Sequence, residues 1–116
     1  MIRRGDIHLV DLDAVRGSEA GKRRPAVIVS NDAANAMASR LGRGVVTVVP
    51  VTSNVERLYA FQVLLRAADT GLDRDSKAQA EQIRSIAVER VSGRLGVVPH
   101  PVMLDVDEAI RIHLEL

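Results

Sequence analysis

The chain has 116 residues and a formal net charge of +1, room for one domain with a real core and too little charge for blanket affinity to nucleic acid. It contains no cysteine, which excludes disulfides, thiolate metal sites and cysteine nucleophiles and fits a reducing, cytoplasmic setting. No apolar run approaches the roughly 18 residues of a membrane span, and no apolar stretch follows the charges of residues 1–5, so neither a membrane anchor nor a signal peptide is expected.

Residues 6–12 alternate unevenly and read as a strand with room for a bulge. Residues 13–24 are a polar loop with Gly17, Ser18, Gly21 and three adjacent cations, Lys22, Arg23 and Arg24. The loop holds too few apolar residues to be pinned into a core and is expected to be mobile. Pro25 opens the apolar run 26–29, a buried strand whose first position tolerates a residue without an N–H. Ser30-Asn31-Asp32 signals a helix start, and a short helix over 33–40 is stopped by Gly42 and Gly44. Residues 45–51 are a second buried run, interrupted by Pro50, and Thr52-Ser53-Asn54 follows as a turn. A further strand spans 61–65 and a polar turn spans 70–76. Residues 77–90 fit neither the helical nor the strand period. A short strand at 95–98 ends at Pro99 and Pro101. Val102, Val106, Ala109, Ile110 and Leu114 then recur at helical spacing, as in an amphipathic terminal helix.

Valine supplies 17 residues and isoleucine 7, a β-branched excess that favours sheet. The expected fold is α+β and mainly β. It is a single domain over 1–116, with a small curled antiparallel sheet or partly open barrel, a short inserted helix and a C-terminal helix. Tyr59 and Phe61 are the only aromatics, which argues against a binder that stacks bases on several rings. Residues 1–66 carry 10 basic and 6 acidic side chains, residues 67–116 carry 6 and 9. One face can therefore meet phosphates while the acidic end lies elsewhere.

Standard signatures are absent: there is no P-loop, dinucleotide fingerprint or zinc spacing. Gly42-Arg43-Gly44 reads as a turn. His8, His100 and His113 are scattered and read as surface or half-buried residues rather than an acid–base pair. The pairs Asp11/Asp13, Asp73/Asp75 and Asp105/Asp107 sit at element ends, where solvated or dipole-complementing aspartates are common, so no metal site is expected. The unusual segment is Lys22-Arg23-Arg24-Pro25. An arginine fork matches phosphate oxygens, and the proline fixes the backbone beside it. If runs 26–29 and 45–51 are neighbouring strands, Thr52 converges on the same place. A solvated basic loop is the plainer alternative.

These residues resemble the MazF/PemK family of toxin endoribonucleases, in particular its actinobacterial versions. The resemblance begins at Arg4-Gly5-Asp6-Ile7 and continues through Val10-Asp11-Leu12 and Gly17-Ser18-Glu19. Further blocks are Arg24-Pro25-Ala26-Val27-Ile28-Val29-Ser30-Asn31-Asp32, Val49-Pro50-Val51-Thr52-Ser53, Phe61-Gln62-Val63 and Glu81-Gln82-Ile83-Arg84-Ser85-Ile86. Blocks in this order at matching spacing cover nearly the whole chain. Two departures stand out: His8 replaces an aromatic, and Ala60 replaces a proline.

The resemblance implies an SH3-like barrel acting as a homodimer. It implies a metal-independent endoribonuclease that cuts single-stranded RNA at short motifs and is neutralised by a MazE-like antitoxin. It maps the catalytic pair onto Arg24 and Thr52. It maps the RNA groove onto Gly17, Ser18, Glu19, Ser53, Asn54 and Gln82, and the cations Lys22 and Arg23 of the basic loop join them as RNA-binding candidates. No cofactor is implied. The expected products carry a 2′,3′-cyclic phosphate and a 5′-OH. The alternative reading is a non-catalytic RNA- or peptide-binding module with the same barrel. A topoisomerase-poisoning toxin of the related CcdB type would need an aromatic C-terminal tip, where this chain ends Leu114-Glu115-Leu116.

Overall fold

A computed structural model describes residues 1–13 and 16–116. In chain order the described residues form β1 (Asp6–Asp11), β2 (Arg23–Ile28), α1 (Asp32–Leu41), β3 (Val45–Thr52), β4 (Gln62–Leu65), α2 (Ala67–Thr70), β5 (Ser76–Gln79), β6 (Arg84–Ala87), β7 (Val91–Val97) and α3 (His100–Leu114). The strands make one antiparallel sheet in the order β4-β5-β3-β2-β1-β7, with β6 also paired to β3. β3 holds this sheet together. Its first half pairs β6 from Val45↔Ala87 to Val48↔Arg84, and its far end pairs β5 through Val51↔Ala78 and Thr52↔Lys77. Its other edge pairs β2. The sheet is open, with β4 and β7 as its ends.

Side-chain alternation divides the apolar residues between two clusters. Val27, Val49 and Val51 pack with Ile7, Leu65 and the α3 residues Met103 and Val106. Their neighbours Ala26, Ile28, Val46 and Val48 pack with Val10, Leu12 and the α1 residue Ala38. The valine-rich strands are thus buried on both faces, which is why they read as continuous apolar runs.

Local signals place the helices. Asn31 caps α1 by accepting the Ala34 N–H at 2.9 Å, and Gly42 ends it in the left-handed region at φ 65°. Arg4 ties the elements together. Its N–H donates to Asp32 Oδ1 at 2.7 Å, its Nε to the Val29 carbonyl at 2.9 Å, and its terminal amino group to Asp107 on α3. The Arg4 N–H holds the Asp32 carboxyl below its ordinary pKa of 3.8; Asn35 and the charges of Arg3 and Arg4 add to this against opposing desolvation.

Several boundaries differ from the expected ones. β2 begins at Arg23 rather than at Pro25, because Arg23 pairs across from Asp11 and Arg24 from Val10, and the Arg23–Asp11 rung of opposite charges extends the ladder. Residues 77–90 fit no single period because they are two short strands, each followed or preceded by a 3₁₀ turn (Ala80–Gln82 and Val88–Arg90). β7 starts at Val91, four residues early. α2 is a single helical turn between the strand expected to end at residue 65 and the polar turn expected from residue 70. His8 is buried, not a surface or half-buried residue. It sits on β1 across from Arg94 of β7, where its Nδ1 donates to the Ser92 carbonyl at 2.8 Å and its Nε2 stands 3.7 Å from Asp6 Oδ2. The loop after β1 is also better anchored than its composition suggests, since Ala20 is buried in the second cluster. Ala14 and Val15 of that loop lie outside the described residues.

The two ends of the sheet approach each other without pairing. The Thr70 carbonyl of α2 comes so close to β7 that a Cβ on Gly96 would sit 2.3 Å from its oxygen. Backbone on both sides leaves nothing flexible to yield. Gly96→Ala is therefore expected to cost about 1–3 kcal/mol, the usual range for overpacking. Gly93→Ala, three residues earlier on the same strand with nothing within 4 Å of its Cβ position, serves as the control. Thermal melts check this, and equal melting temperatures for the two variants would contradict the close approach.

Candidate active site

The site follows from how two strands stop pairing. β2 and β3 are in register through Ile28↔Val48, Val27↔Val49 and Ala26↔Pro50. Pro25 and Pro50 have no N–H to give, and the ladder ends at that rung. Carrying the register two residues further sets Arg24 across from Thr52. Past the last rung the strand ends border a cleft of about 570 Å³. Arg24, Pro25, Thr52 and Ser53 line it together with Leu72, Asp73 and Arg74 from the turn before β5, Ser76 at the start of β5, and Leu95 from β7.

Arg24 is half-buried. Its Nε donates to the Gly21 carbonyl at 2.8 Å. Among the described residues its terminal amino groups have no hydrogen-bond partner, so the fork that matches a phosphate is available. The Thr52 hydroxyl accepts the Asn54 N–H at 3.3 Å, which leaves its own proton to donate. The Asn54 side chain in turn accepts the Glu56 N–H at 3.2 Å. Opposite Thr52 on β5, Lys77 is buried and donates to the Arg57 carbonyl at 2.6 Å. That bond pins the segment leaving Thr52.

The expected site residues separate into groups. Arg24, Thr52 and Ser53 share the cleft. Asn54 closes the turn beside it. Of the three adjacent cations, only Arg24 lines the cleft. Arg23 is exposed and reaches Ser92 Oγ on β7 at 3.5 Å. Lys22 is exposed in a left-handed turn at φ 61°, with its backbone bonded to Asp13 and Leu12. Gly17 and Ser18 are exposed. Glu19 and Gln82 border a smaller pocket of about 430 Å³ with Glu81 and Arg84. Gln82 spends its amide on the loop: Oε1 accepts the Ala20 N–H at 2.9 Å and Nε2 donates to the Ser18 carbonyl at 2.8 Å.

No histidine lines the cleft. The aspartate pairs have structural partners: Asp13 pairs with Arg90, Asp75 accepts the Ala67 N–H at 2.8 Å and Asp107 pairs with Arg4. Among the described residues no three His, Asp or Glu side chains gather where they could hold a metal ion. Likewise, no helix among them is long and apolar enough to cross a membrane. The cleft wall formed by Leu72, Arg74, Ser76 and Leu95 is absent from the sequence reading. Its one visible signal was Arg74, a cation inside a polar turn.

Comparison with known proteins places this geometry among relatives. Residues 3–114 match the family model described as PemK-like, MazF-like toxin of type II toxin-antitoxin system. Endoribonuclease MazF9 of Mycobacterium tuberculosis is 62% identical over 116 residues, covering 100% of this chain and 98% of that protein. Endoribonuclease MazF of Staphylococcus epidermidis is 36% identical over 100% of this chain and 93% of its own length. Among solved structures, MazF from Deinococcus radiodurans superposes with a TM-score of 0.79 at 26% identity, covering 99% of this chain and 97% of that one. A MazE–MazF structure from the same organism gives 0.72 at 25% identity, over 99% and 96%.

Proposed function

The chain belongs to the PemK-like, MazF-like toxins of type II toxin–antitoxin systems and is an endoribonuclease of the MazF kind, and on that premise we propose that Arg24 and Thr52 carry out its cleavage of single-stranded RNA. The observation that carries the assignment is their placement across from each other where the β2–β3 ladder ends, in one cleft wide enough for a nucleotide. Arg24 lies before Pro25 and Thr52 two residues after Pro50, the positions that carry the resemblance.

The reaction uses the substrate's own nucleophile. The 2′ oxygen bonds to phosphorus as its proton leaves, the bond from phosphorus to the 5′ oxygen breaks, and that oxygen takes up a proton. The products are a 2′,3′-cyclic phosphate and a 5′-OH. What the protein must supply is stabilisation of the charge that builds on the phosphoryl oxygens. A guanidinium stays protonated at any working pH, so Arg24 serves as an anion clamp and not as a general base. Thr52 donates its hydroxyl proton to a phosphoryl oxygen or orients the 2′-OH. These roles need no metal. DNA lacks the nucleophile and resists.

With only two aromatics, which stack on each other at 5.4 Å away from the cleft lining, base reading falls to hydroxyls, amides, backbone groups and arginine planes. Ser53, Ser76 and Arg74 supply such groups at the cleft. The partners of this reading are a MazE-like antitoxin and a second copy of the chain. The antitoxin is supported by the structurally similar MazE–MazF structure. The second copy is supported by the open edge of β7, which leaves Leu95 and Val97 each 42% exposed. Sedimentation of the purified chain is expected at about twice 12.6 kDa; a monomer at assay concentration would exclude the dimer.

The experiment is cleavage of a long mixed-sequence RNA in the presence of EDTA. Wild type is expected to yield discrete fragments. Arg24→Ala and Thr52→Val should each lose roughly 10²–10³ in rate, the scale for removing one charge-stabilising donor, while remaining folded. Near-normal cleavage by Arg24→Ala would sink the assignment. No cleavage of several RNAs by wild type would favour the non-catalytic binding module.

A further inference from the structure

We propose that Gln82 is a positioning residue that sets the reach of Arg24 through the backbone of the loop between them. The inference rests on Arg24 being the phosphate-binding arginine. It starts from the two bonds of the Gln82 amide. Oε1 accepts from the Ala20 N–H at 2.9 Å and Nε2 donates to the Ser18 carbonyl at 2.8 Å. A side-chain amide that accepts and donates two residues apart on one segment does what the peptide of a neighbouring strand would do. One lone pair of Oε1 and one N–H of Nε2 are thus committed to the loop, which fixes the plane of the amide. The proposal gives Gln82 a role in the protein itself, beside its expected place along the RNA groove.

The loop passes the constraint on. Ala20 is buried in the core cluster and held by Gln82. Lys22 is held on the other side, its N–H to the Asp13 carbonyl at 3.0 Å and its carbonyl by the Leu12 N–H at 2.9 Å. Gly21 lies between these anchors with no side chain of its own. A glycine's backbone is free unless its neighbours are fixed, so the direction of the Gly21 carbonyl depends on both. That carbonyl is the acceptor for Arg24 Nε at 2.8 Å. The sequence of contacts runs from the 3₁₀ turn Ala80–Gln82, through Ala20 and Gly21, to the guanidinium in the cleft. Without Gln82 one anchor of Gly21 weakens and the Arg24 fork spends less time aligned with a phosphate. A misplacement of about 1 Å can cost as much as 10²-fold in rate.

Two readouts on the full-length protein test this. Gln82→Met fills similar volume and removes both bonds. Gln82→Glu is the second variant; it keeps the acceptor for Ala20 but sets a carboxylate against the Ser18 carbonyl. The first readout needs no RNA: the Arg24 Nε–H signal in a proton–nitrogen correlation spectrum, identified by its disappearance in Arg24→Lys. It is expected to exchange slowly with water in wild type and at least about tenfold faster in either Gln82 variant. Unchanged exchange would overturn the inference. The second is cleavage kinetics. Each Gln82 variant is expected to lose roughly 10- to 100-fold in kcat with KM little changed, and to lose much less in an Arg24→Lys background, which has no Nε–H to position. A rise in KM alone marks a direct RNA contact and overturns the proposal. So does an equal loss in both backgrounds. Near-normal cleavage by Arg24→Ala is a different outcome, because it removes the assignment of Arg24 itself.

Discussion

The antiparallel register between β2 and β3, and its end at two prolines, is the constraint on which the site depends. Three rungs, Ile28↔Val48 to Ala26↔Pro50, fix the strands relative to each other. Both strands are buried on both faces, so a slip of one residue would exchange Val27, Val49 and Val51 with Ala26, Ile28, Val46 and Val48 between two different core clusters. The cost of that slip locks the register. The locked register in turn decides that Arg24 faces Thr52 rather than Ser53 or Val51. The prolines then end the ladder where an opening is needed. The same residues that stabilise the sheet thus set the geometry of the cleft.

The elements around this pair brace it in different ways. Arg24 is a strand residue, held by the ladder to β1 at Val10, so its backbone is fixed while its side chain takes direction from the loop. Thr52 is the last residue of β3 and is paired to Lys77, whose buried ammonium fastens the segment that follows. The far wall of the cleft comes from the turn before β5 and from β7, brought near by the close approach of α2 to Gly96. Arg4 secures the opposite end of the sheet by joining the β2 end, α1 and α3. The proposed catalytic pair therefore stands on the most constrained strands, whereas Ser53 and Arg74, two of the groups suited to base reading, stand on turns. That is the usual division between rigid chemistry and adaptable recognition.

Much of this was legible from the residues. The valine-rich runs gave the central strands, Asn31 and Gly42 gave α1, and the helical spacing from Val102 gave α3. The block Arg24-Pro25 and the block Pro50-Val51-Thr52 named the candidate pair before any geometry was known. What was not legible depends on distant partners. The extension of β2 to Arg23 requires Asp11 on the neighbouring strand. The burial of His8 requires β7, which arrives more than 80 residues later. Residues 77–90 mix two strands and two tight turns, so no single period describes them. The far wall of the cleft could not be read because Leu72, Arg74 and Leu95 meet only through the curl of the sheet. The Gln82 clamp was invisible for the same reason: 62 residues separate Gln82 from Ala20, and a glutamine in a mixed polar segment looks like any other.

The central claim is that one phosphate sits between the Arg24 guanidinium and the Thr52 hydroxyl. The most direct measurement is a crystal structure of the protein with a short RNA that carries its mapped cleavage sequence and a 2′-O-methyl group at the scissile nucleotide. The methyl group removes the attacking hydroxyl and leaves the phosphate intact. The account predicts the scissile phosphate within hydrogen-bond distance of both side chains, with flanking bases along Ser53, Arg74 and Ser76. A scissile phosphate bound elsewhere, with the Arg24–Thr52 cleft empty or holding only a flanking nucleotide, would contradict it.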